Sequence, residues 1–277
     1  MIQKAVTILR NRGLAGLFGA VKRRIQSLFA GKSIAFKQHQ KFFHGKNGIE
    51  IGGPSSVFSK RGVFPVYPIL GNLDNSNFSS DTVWGGATPC GSTFRFGSGK
   101  TPGRQYICEA TSMGNIASAS YDFVLSSHML EHCANPIQAL SEWRRLLRDD
   151  GLLVLVLPDK RFTFDHRRPV TSLEHLIADF DSKMKENDLS HIREILELHD
   201  LERDLEAGDF DSFRSRSLRN YSNRCLHHHV FDISLAKNII EYTGFNILTS
   251  EVLHPNHILT VAMKSNIQRF QLSKPCM

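Results

Sequence analysis

The sequence lacks several patterns that would place the protein in a common class. Its five cysteines are odd in number and scattered, and no two are spaced as C-x-x-C, which argues against a paired thiolate metal site or a redox motif. Isolated, reduced cysteines are typical of the cytosol, so a cytoplasmic location is expected. The uncharged stretch at residues 13–21 is too short to span a bilayer, and no signal-peptide cleavage site follows it. Secretion is therefore not expected.

Acidic residues are absent from the first 32 positions. This segment holds seven of the 34 basic side chains, so the rest of the chain has 27 basic and 27 acidic residues, and the net charge of +7 comes from the segment alone. A neutral body gives no reason to expect nucleic acid as a partner, because a phosphate-binding surface needs clustered positive charge on the folded domain.

The same segment has an apolar pattern. Its large apolar residues recur at spacings of three and four, as on one side of a helix: Leu14, Leu17, Phe18, Val21, Ile25, Leu28 and Phe29. Residues 1–32 are therefore predicted to form a basic amphipathic helix. It either packs on the domain that follows, predicted at residues 33–264, or makes a weak peripheral contact with an anionic membrane. Residues 265–277 are expected to be a C-terminal tail.

From residue 46 the pattern alternates between strands and helices. Short apolar runs at 48–51 and 121–127 predict strands, and the uninterrupted apolar run at 152–158 is typical of a strand that is covered on both faces. Between the last two runs, Asn135 and Pro136 mark the start of a helix that Gly151 is predicted to end. A strand, a helix and a second strand in this order predict parallel pairing.

The C-terminal part of the domain predicts one more helix and a hairpin. The helix covers about residues 234–243 and is capped by Gly244, and strands at 245–253 and 257–264 are close enough to pair antiparallel. The predicted fold is α/β: a Rossmann-like, mostly parallel seven-stranded sheet with an antiparallel edge hairpin, plus a helical insertion and the N-terminal amphipathic helix.

A glycine-rich turn, "EIGGPSS" at residues 50–56, follows the first strand. Ligands of open α/β sheets bind at the carboxyl ends of the strands, so Gly52 and Gly53 stand where a nucleotide-like cofactor would meet bare backbone. Pro54 interrupts the G-x-G-x-x-G series and removes an amide donor, which argues against a nicotinamide or flavin dinucleotide.

Two segments together resemble a known family. "EIGG" at 50–53 and "YDFVLSSHMLEHCANPIQALSEWRRLLRDDGLLVLVLPD" at 121–159 are similar to the class I S-adenosylmethionine-dependent methyltransferases, in particular the small-molecule, type 11-like subgroup. The resemblance covers residues 46–160, and residues 231–264 in outline. It implies a methyltransferase with S-adenosylmethionine as its cofactor. Pro54 and Ser55 stand where the family has a third glycine.

The resemblance also implies cofactor-binding residues. Asp74 would end the second strand and accept the ribose hydroxyls, with Asp81 as the alternative. The other implied positions are Glu50, Gly52 and Gly53 beside the methionine moiety, Glu109 and Ala110 beside the adenine, and Ser126, Ser127 and His128 at the reacting end. The ordinary alternative for each acid is a helix cap or a solvated loop.

Methyl transfer to a hydroxyl needs a base near the methyl group, and histidine is the natural base at neutral pH. The candidates are His128, His166 and one of the three histidines at 227–229. Alternatively, His128, Glu131 and His132 form H-x-x-E-H, which on a helical turn would bring three metal ligands to one face. Some similar methyltransferases hold a divalent ion at this place, but packing is the commoner role, and no metal is expected here.

Residues 165–225 are the part that the resemblance explains least. Between Glu174 and Asp209 twelve acids face four basic residues with helical periodicity, which is usually a solvated helix face. An insertion after the fifth strand would also lie over the carboxyl edge of the sheet, where it could form a lid over the acceptor. Arg161, Arg167 and Arg168 are then candidates for binding an anionic or polyhydroxyl acceptor.

The sequence therefore predicts a methyltransferase that acts on a hydroxyl of a small molecule or a glycan. Two alternatives stay open: a non-catalytic binding or scaffold protein that retains the fold, and metal-dependent hydrolysis by the histidines.

Overall fold

The computed structural model describes residues 32–82 and 86–265. The helix predicted at 1–32 and the tail predicted at 265–277 lie outside the described residues, except for one residue of each. Within the described ranges, no helix is both long and apolar enough to cross a membrane.

A single eight-stranded sheet forms the centre of the described chain. The strands of the described chain are β1 (Asn47–Ile51), β2 (Asn72–Asn77), β3 (Asp81–Thr82), β4 (Gly86–Ala87), β5 (Gly91–Phe94), β6 (Gly103–Ile107), β7 (Tyr121–Ser127), β8 (Leu147–Pro158), β9 (Phe245–Leu253) and β10 (His257–Lys264). Strands β3 and β4 form a small separate hairpin, and the other eight form the sheet. The order across the sheet is β5, β6, β2, β1, β7, β8, β10, β9.

The five adjacent strands β6, β2, β1, β7 and β8 are parallel, and β10 and β9 continue the sheet as an antiparallel hairpin. This confirms the predicted fold class, including both strands of the edge hairpin. One strand was not predicted: β5 pairs antiparallel with β6 and adds an eighth member at the opposite edge.

Seven α-helices accompany the described strands: α1 (Ile34–His39), α2 (Pro136–Leu146), α3 (Leu173–Asp181), α4 (Ile192–Leu198), α5 (Phe210–Leu218), α6 (Asn220–Asn223) and α7 (Ile233–Tyr242). Helix α2 begins as predicted, because the side chain of Asn135 accepts a hydrogen bond from the amide of Gln138. Helix α7 is followed by Gly244 at φ +82°, as the predicted cap requires.

The prediction that Gly151 ends helix α2 is wrong. The helix ends at Leu146, and Leu147 already pairs with Tyr121 as the first residue of β8. The residues that follow form an irregularity in the ladder, with Asp150 at φ +59°, before regular pairing resumes at Leu152. The strand therefore begins four residues before Gly151, at the buried residue Leu147.

Both faces of the sheet are buried, which explains the uninterrupted apolar run in β8. Leu153, Leu155 and Leu157 pack on one face with α2 and α7, around the fully buried Trp143. The alternate residues, such as Val154, pack on the other face with a cluster of phenylalanines. The carboxyl ends of the five parallel strands remain as the edge where a ligand can approach backbone.

The inserted segment, residues 165–225, contains α3 to α6, which confirms its helical periodicity. It has a small core of its own around Ile195, Phe213 and Leu226. The guanidinium of Arg168 lies in the interior and donates hydrogen bonds to the carbonyls of His227 and His228 at 2.8 and 3.1 Å. The start of the segment is thereby joined to the chain that leaves it.

Candidate active site

A cavity of about 580 Å³ opens at the carboxyl ends of the parallel strands. It lies where the predicted fold places a ligand, between the strand ends and the inserted segment. Strand ends and the loops that follow them supply one wall, including Gly52, Asn77, Glu109, Ala110, Ser127 and His128, and the opposite wall includes Phe164, Glu186, Arg203, Arg224 and His227.

The glycine turn after β1 lines this cavity, and its two positions require glycine for different physical reasons. Gly52 has φ +83°, and a Cβ there would lie 2.8 Å from the Met129 side chain. A Cβ on Gly53 would lie 2.3 Å from the carboxyl carbon of Glu50. The second glycine therefore makes room for a buried side chain of the protein itself, and only Gly52 requires a left-handed backbone.

Glu50 does not line the cavity, contrary to its predicted place beside the cofactor. Its carboxylate is fully buried and accepts hydrogen bonds from the hydroxyl of Tyr67 at 2.5 Å and the amide of Ser55 at 2.9 Å. Burial raises its pKa to about 8, although both hydrogen bonds act in the opposite direction. Glu50 therefore holds the glycine turn in place without lining the cavity.

The prediction that Asp74 ends the second strand is wrong. Asp74 is the third residue of β2, and its carboxylate accepts hydrogen bonds from the hydroxyl of Tyr121 and the amide of Arg104, both at 2.8 Å. The alternative, Asp81, is exposed on β3 and does not line the cavity. The strand ends at Asn77, whose side chain therefore takes the position that an acid was expected to occupy.

Glu109 and Ala110 follow β6 and line the cavity as predicted residues of the site. The carboxylate of Glu109 accepts hydrogen bonds from Arg224 at 2.7 and 3.2 Å, so it is joined to the end of the inserted segment. Ser127 also lines the cavity, and its buried hydroxyl has no hydrogen-bond partner among residues 32–82 and 86–265. Ser126 is buried in the strand and does not line the cavity.

His128 lies at the cavity wall, at φ +52°, and is not part of a helical turn with Glu131 and His132. Only residues Leu130–His132 form a short 3-10 turn. The ring of His128 is 2.7 Å from that of His257, measured between Nε2 and Nδ1. Burial, followed by the charges of two neighbouring histidines, lowers its pKa to about 3. His128 is therefore neutral at physiological pH.

His227 completes the group that His128 was expected to join. Glu131, His132 and His227 place one ligand atom each within 4.8 Å of one another. The backbone brings them together, because the amide of His228 donates to the carbonyl of Glu131 at 2.9 Å. Both carboxylate oxygens of Glu131 are buried and accept no hydrogen bond from any residue that the structure describes. Burial raises the pKa of Glu131 to about 7, although His227 acts in the opposite direction.

His227 is held by Asp165. Its Nδ1 donates a hydrogen bond to Oδ2 of that carboxylate, and both side chains are almost fully buried. Burial lowers the pKa of His227, but the charge of Asp165 and the hydrogen bond to it raise the pKa more, so that it lies above the usual 6.5. The pKa of Asp165 is lowered to about 2: burial raises it, and the charge of His227 and its hydrogen bond outweigh burial.

Four other predicted residues do not contribute a side chain to the cavity. His166 donates to Asp200 at 2.8 Å, away from the cavity lining, which contradicts its predicted role as a base. The three arginines predicted to bind an acceptor are likewise engaged by protein carboxylates: Arg161 by Asp159, Arg167 by Asp200, and Arg168 by Asp165 and Glu194.

Sequence reasoning missed Asp165, Asn77, Arg224 and His257 as parts of the site. Each is an ordinary polar residue in its local stretch, and its importance comes from partners that are far away in the sequence. Only Asn77 carried a usable signal, because it closes the polar run "NLDNSN" that forms β2.

A family model described as a methyltransferase domain matches residues 95–155, which run from the end of β5 through β7 and α2 into β8. The predicted resemblance to methyltransferases is confirmed over this segment. The match supports enzymatic methyl transfer and S-adenosylmethionine as the cofactor of the methyltransferase.

Solved structures with a similar fold include a methyltransferase from Aquifex aeolicus, described as S-adenosylmethionine-dependent. It has 10% identity, a TM-score of 0.45, and coverage of 86% of this chain and 90% of its own. An S-adenosylmethionine-dependent methyltransferase from Mesorhizobium loti has 11% identity, a TM-score of 0.46, and coverage of 83% and 96%. Likenesses this distant say nothing about the acceptor. No curated protein matches the sequence.

Proposed function

We propose that the protein is an S-adenosylmethionine-dependent methyltransferase that methylates a hydroxyl group of a small molecule or a glycan. The observation that carries this proposal is the hydrogen bond from His227 to Asp165, because His227 lines the same cavity as the turn at Gly52 and the strand ends. The cofactor supplies an activated methyl group, so the protein must bind the acceptor, exclude water and remove the hydroxyl proton.

The residues of the cavity fit the cofactor. The volume is in the range that small-molecule sites occupy. Gly52 brings bare backbone to the cavity wall, and the side-chain amide of Asn77 can both donate to and accept from ribose hydroxyls. The buried hydroxyl of Ser127 has no protein partner in the described chain, and a ligand would supply one. Glu109 lines the same cavity and is the residue predicted beside the adenine.

His227 is the residue best suited to accept the proton. Since its Nδ1 donates to Asp165, Nε2 is the nitrogen that can act as a base. The carboxylate fixes the ring and stabilises the imidazolium that forms when the acceptor hydroxyl loses its proton. His128, with a pKa of about 3, is a much weaker base.

The acceptor side of the cavity supports a hydroxylated organic molecule. Phe162 and Phe164 contribute aromatic surface, and Phe164 packs directly on the ring of His227, with the ring centres 4.6 Å apart. Aromatic faces bind the apolar faces of sugars and other ring compounds, whereas the polar groups beside them fix the orientation.

The fold alone would also serve a scaffold protein, but a scaffold would not need these groups. The hydroxyl of Ser127 and the carboxylate of Glu131 are buried at a cavity wall with no hydrogen-bond partner in the described ranges. Each such group costs about 1–3 kcal/mol of folding free energy, which favours a site that a ligand completes.

A divalent ion bound by Glu131, His132 and His227 is a second candidate, favoured by a buried carboxylate that accepts no hydrogen bond in the described ranges, although Nδ1 of His128 lies 3.7 Å from it. The Nδ1 atoms of the two histidines are used by Leu226 and Asp165, so each ring would offer Nε2. In that case His227 would be a ligand, and the ion would lower the pKa of the acceptor hydroxyl.

Binding of S-adenosylhomocysteine tests the cofactor site. The wild-type protein should melt at a higher temperature in its presence, as expected for any ligand that binds only the folded state. Gly52→Val should abolish this shift, because a side chain there is strained and contacts Met129. Gly114→Val is the matched control, since Gly114 is exposed and has no atom near its Cβ position.

The proposal would be overturned if the wild-type protein showed no shift at millimolar ligand. A shift that survives in Gly52→Val would move the cofactor away from the turn. With binding established, transfer of a labelled methyl group to panels of phenols, sugars and polyols identifies the class of acceptor.

A further inference from the structure

A second group of metal-ligand side chains lies outside the cavity. His175 and Asp179 are one turn apart on α3, His191 immediately precedes α4, and His229 follows the inserted segment. The four residues offer one ligand atom each within 4.8 Å of one another, and none of them lines the cavity. We propose that these four residues bind a structural zinc ion.

The distances between the donor atoms match tetrahedral coordination. Nε2 of His175 lies 3.1 Å from Nε2 of His191 and 3.3 Å from Oδ2 of Asp179. Ligand atoms about 2.0–2.1 Å from a tetrahedral zinc ion are about 3.3–3.4 Å from one another. The ring of His229 contacts the same carboxylate oxygen through Nε2 at 3.6 Å, which is a ring contact and not a distance between two ligand atoms, because Nδ1 is the nitrogen that would bind the ion.

Hydrogen bonding within the group does not satisfy its members. Oδ2 of Asp179 and Nδ1 of His229 are buried and have no hydrogen-bond partner in the part of the chain that the structure describes. These two residues are only 5% and 1% exposed. A cation bound between the four side chains would satisfy the carboxylate and the lone pair of the imidazole together.

The surroundings of His229 are those of a metal ligand. Its Nε2 lies 3.3 Å from the carbonyl of Ala134, to which it can donate, and this leaves Nδ1 as the nitrogen with a free lone pair. A histidine that binds a metal usually donates its other ring nitrogen to a carbonyl or a carboxylate in this way.

The ligand types select the ion. Three imidazoles and one carboxylate favour zinc over magnesium or calcium, which prefer sites made of oxygen. No open position is needed, because four protein ligands complete a tetrahedral structural site. We expect the ion to join α3 and α4 to the chain at His229, two residues after the proposed base.

The test is the zinc content of the full-length protein after loading with zinc and dialysis. The informative variants are His175→Ala and His191→Ala, because both rings are partly exposed and their loss leaves no buried cavity. His44→Ala is the matched control, since this histidine is exposed and belongs to neither group. Glu131→Gln reports on the group in the cavity.

We expect the wild-type protein, His44→Ala and Glu131→Gln to retain one equivalent of zinc at this site. His175→Ala and His191→Ala should bind it at least tenfold more weakly, and cobalt in place of zinc should give the strong visible absorption of a tetrahedral site only where both histidines are present. Circular dichroism shows whether each variant is folded. Absence of zinc from the wild-type protein, or unchanged affinity in a folded His191→Ala, would overturn the proposal, as would loss of all zinc in Glu131→Gln.

Discussion

At the level of single residues, burial and one carboxylate determine which histidine of the cavity can act as a base. Burial and the neighbouring histidines lower the pKa of His128 to about 3. His227 is more deeply buried, but it faces Asp165, whose charge and hydrogen bond outweigh burial and raise its pKa. The two imidazoles line the same cavity but differ in basicity, because His227 donates a hydrogen bond to Asp165, whereas Nδ1 of His128 lies 3.7 Å from the carboxylate of Glu131 and makes no hydrogen bond to it.

This difference predicts a pH profile. A base must be neutral to act, so kcat/KM should rise with pH as His227 loses its proton, with an apparent pKa above 6.5. Asp165→Asn removes the charge that raises this pKa, leaving burial to lower it, so the rise should move to lower pH. The rate at neutral pH should fall by about 10²–10⁴-fold, because the imidazolium loses its partner.

His166→Gln is the control for this profile, because His166 lies outside the cavity and should affect neither rate nor pH dependence. An unchanged profile in Asp165→Asn, together with full activity in His227→Gln, would show that another group removes the proton.

At the level of elements, the sequence was sufficient for most of the fold. Strands β1, β7, β9 and β10 and the start of α2 follow from apolar patterns and caps that are local in sequence. The prediction at Gly151 failed because a glycine after a helical pattern usually caps the helix, whereas here the strand already begins at the buried residue Leu147. Tertiary packing, which is not visible in a local pattern, decided that boundary.

The site was less predictable than the elements that carry it. Gly52 was predicted because it follows a strand that can be located from sequence, whereas Glu109, Ala110 and Ser127 were implied by the resemblance to methyltransferases; all four line the cavity. The partner of His227 is 62 positions away, and nothing local marks it. Asp74 was assigned to a strand end because the polar strand β2 has no apolar run to define its limits.

The cap of helix α2 allows a prediction at this scale. Asn135 is buried; its side-chain oxygen accepts from the amide of Gln138, and its side-chain nitrogen donates to the carbonyl of Asp179 at 3.1 Å. Asn135→Ala should lower the free energy of unfolding in urea by about 1–3 kcal/mol, because both bonds are lost.

Ser172 caps α3 through a single bond to the amide of His175, so Ser172→Ala should cost less, about 1 kcal/mol. Equal losses in the two variants would show that the bond from Asn135 to Asp179 adds nothing to stability.

At the level of the whole molecule, the net positive charge of the sequence is concentrated in residues 1–32. We propose that the basic segment at 1–32 packs on the body. It joins the described chain beside α1, where Ile34 and Phe42 are exposed. Helix α1 itself lies along β9, because the amides of Ile34 and Ala35 donate hydrogen bonds to the carboxylate of Glu251.

Deletion of residues 1–31 tests this packing. The shortened protein should still bind S-adenosylhomocysteine but melt several degrees lower, because apolar surface becomes exposed to water. Sedimentation with anionic vesicles at low and high salt measures any membrane contact of the full-length protein, which rising ionic strength should weaken. Unchanged melting combined with lost sedimentation would favour the membrane interpretation.

The hydrogen bond between His227 and Asp165 joins the first residue of the inserted segment to a residue just beyond its end. The proposed proton transfer therefore depends on where the segment is anchored. Helices in the middle of the segment can diverge, and so change the shape offered to an acceptor, while the His227–Asp165 hydrogen bond stays intact. A methyltransferase with this arrangement can change its acceptor by exchange of the inserted helices, without loss of the two residues proposed to remove the proton.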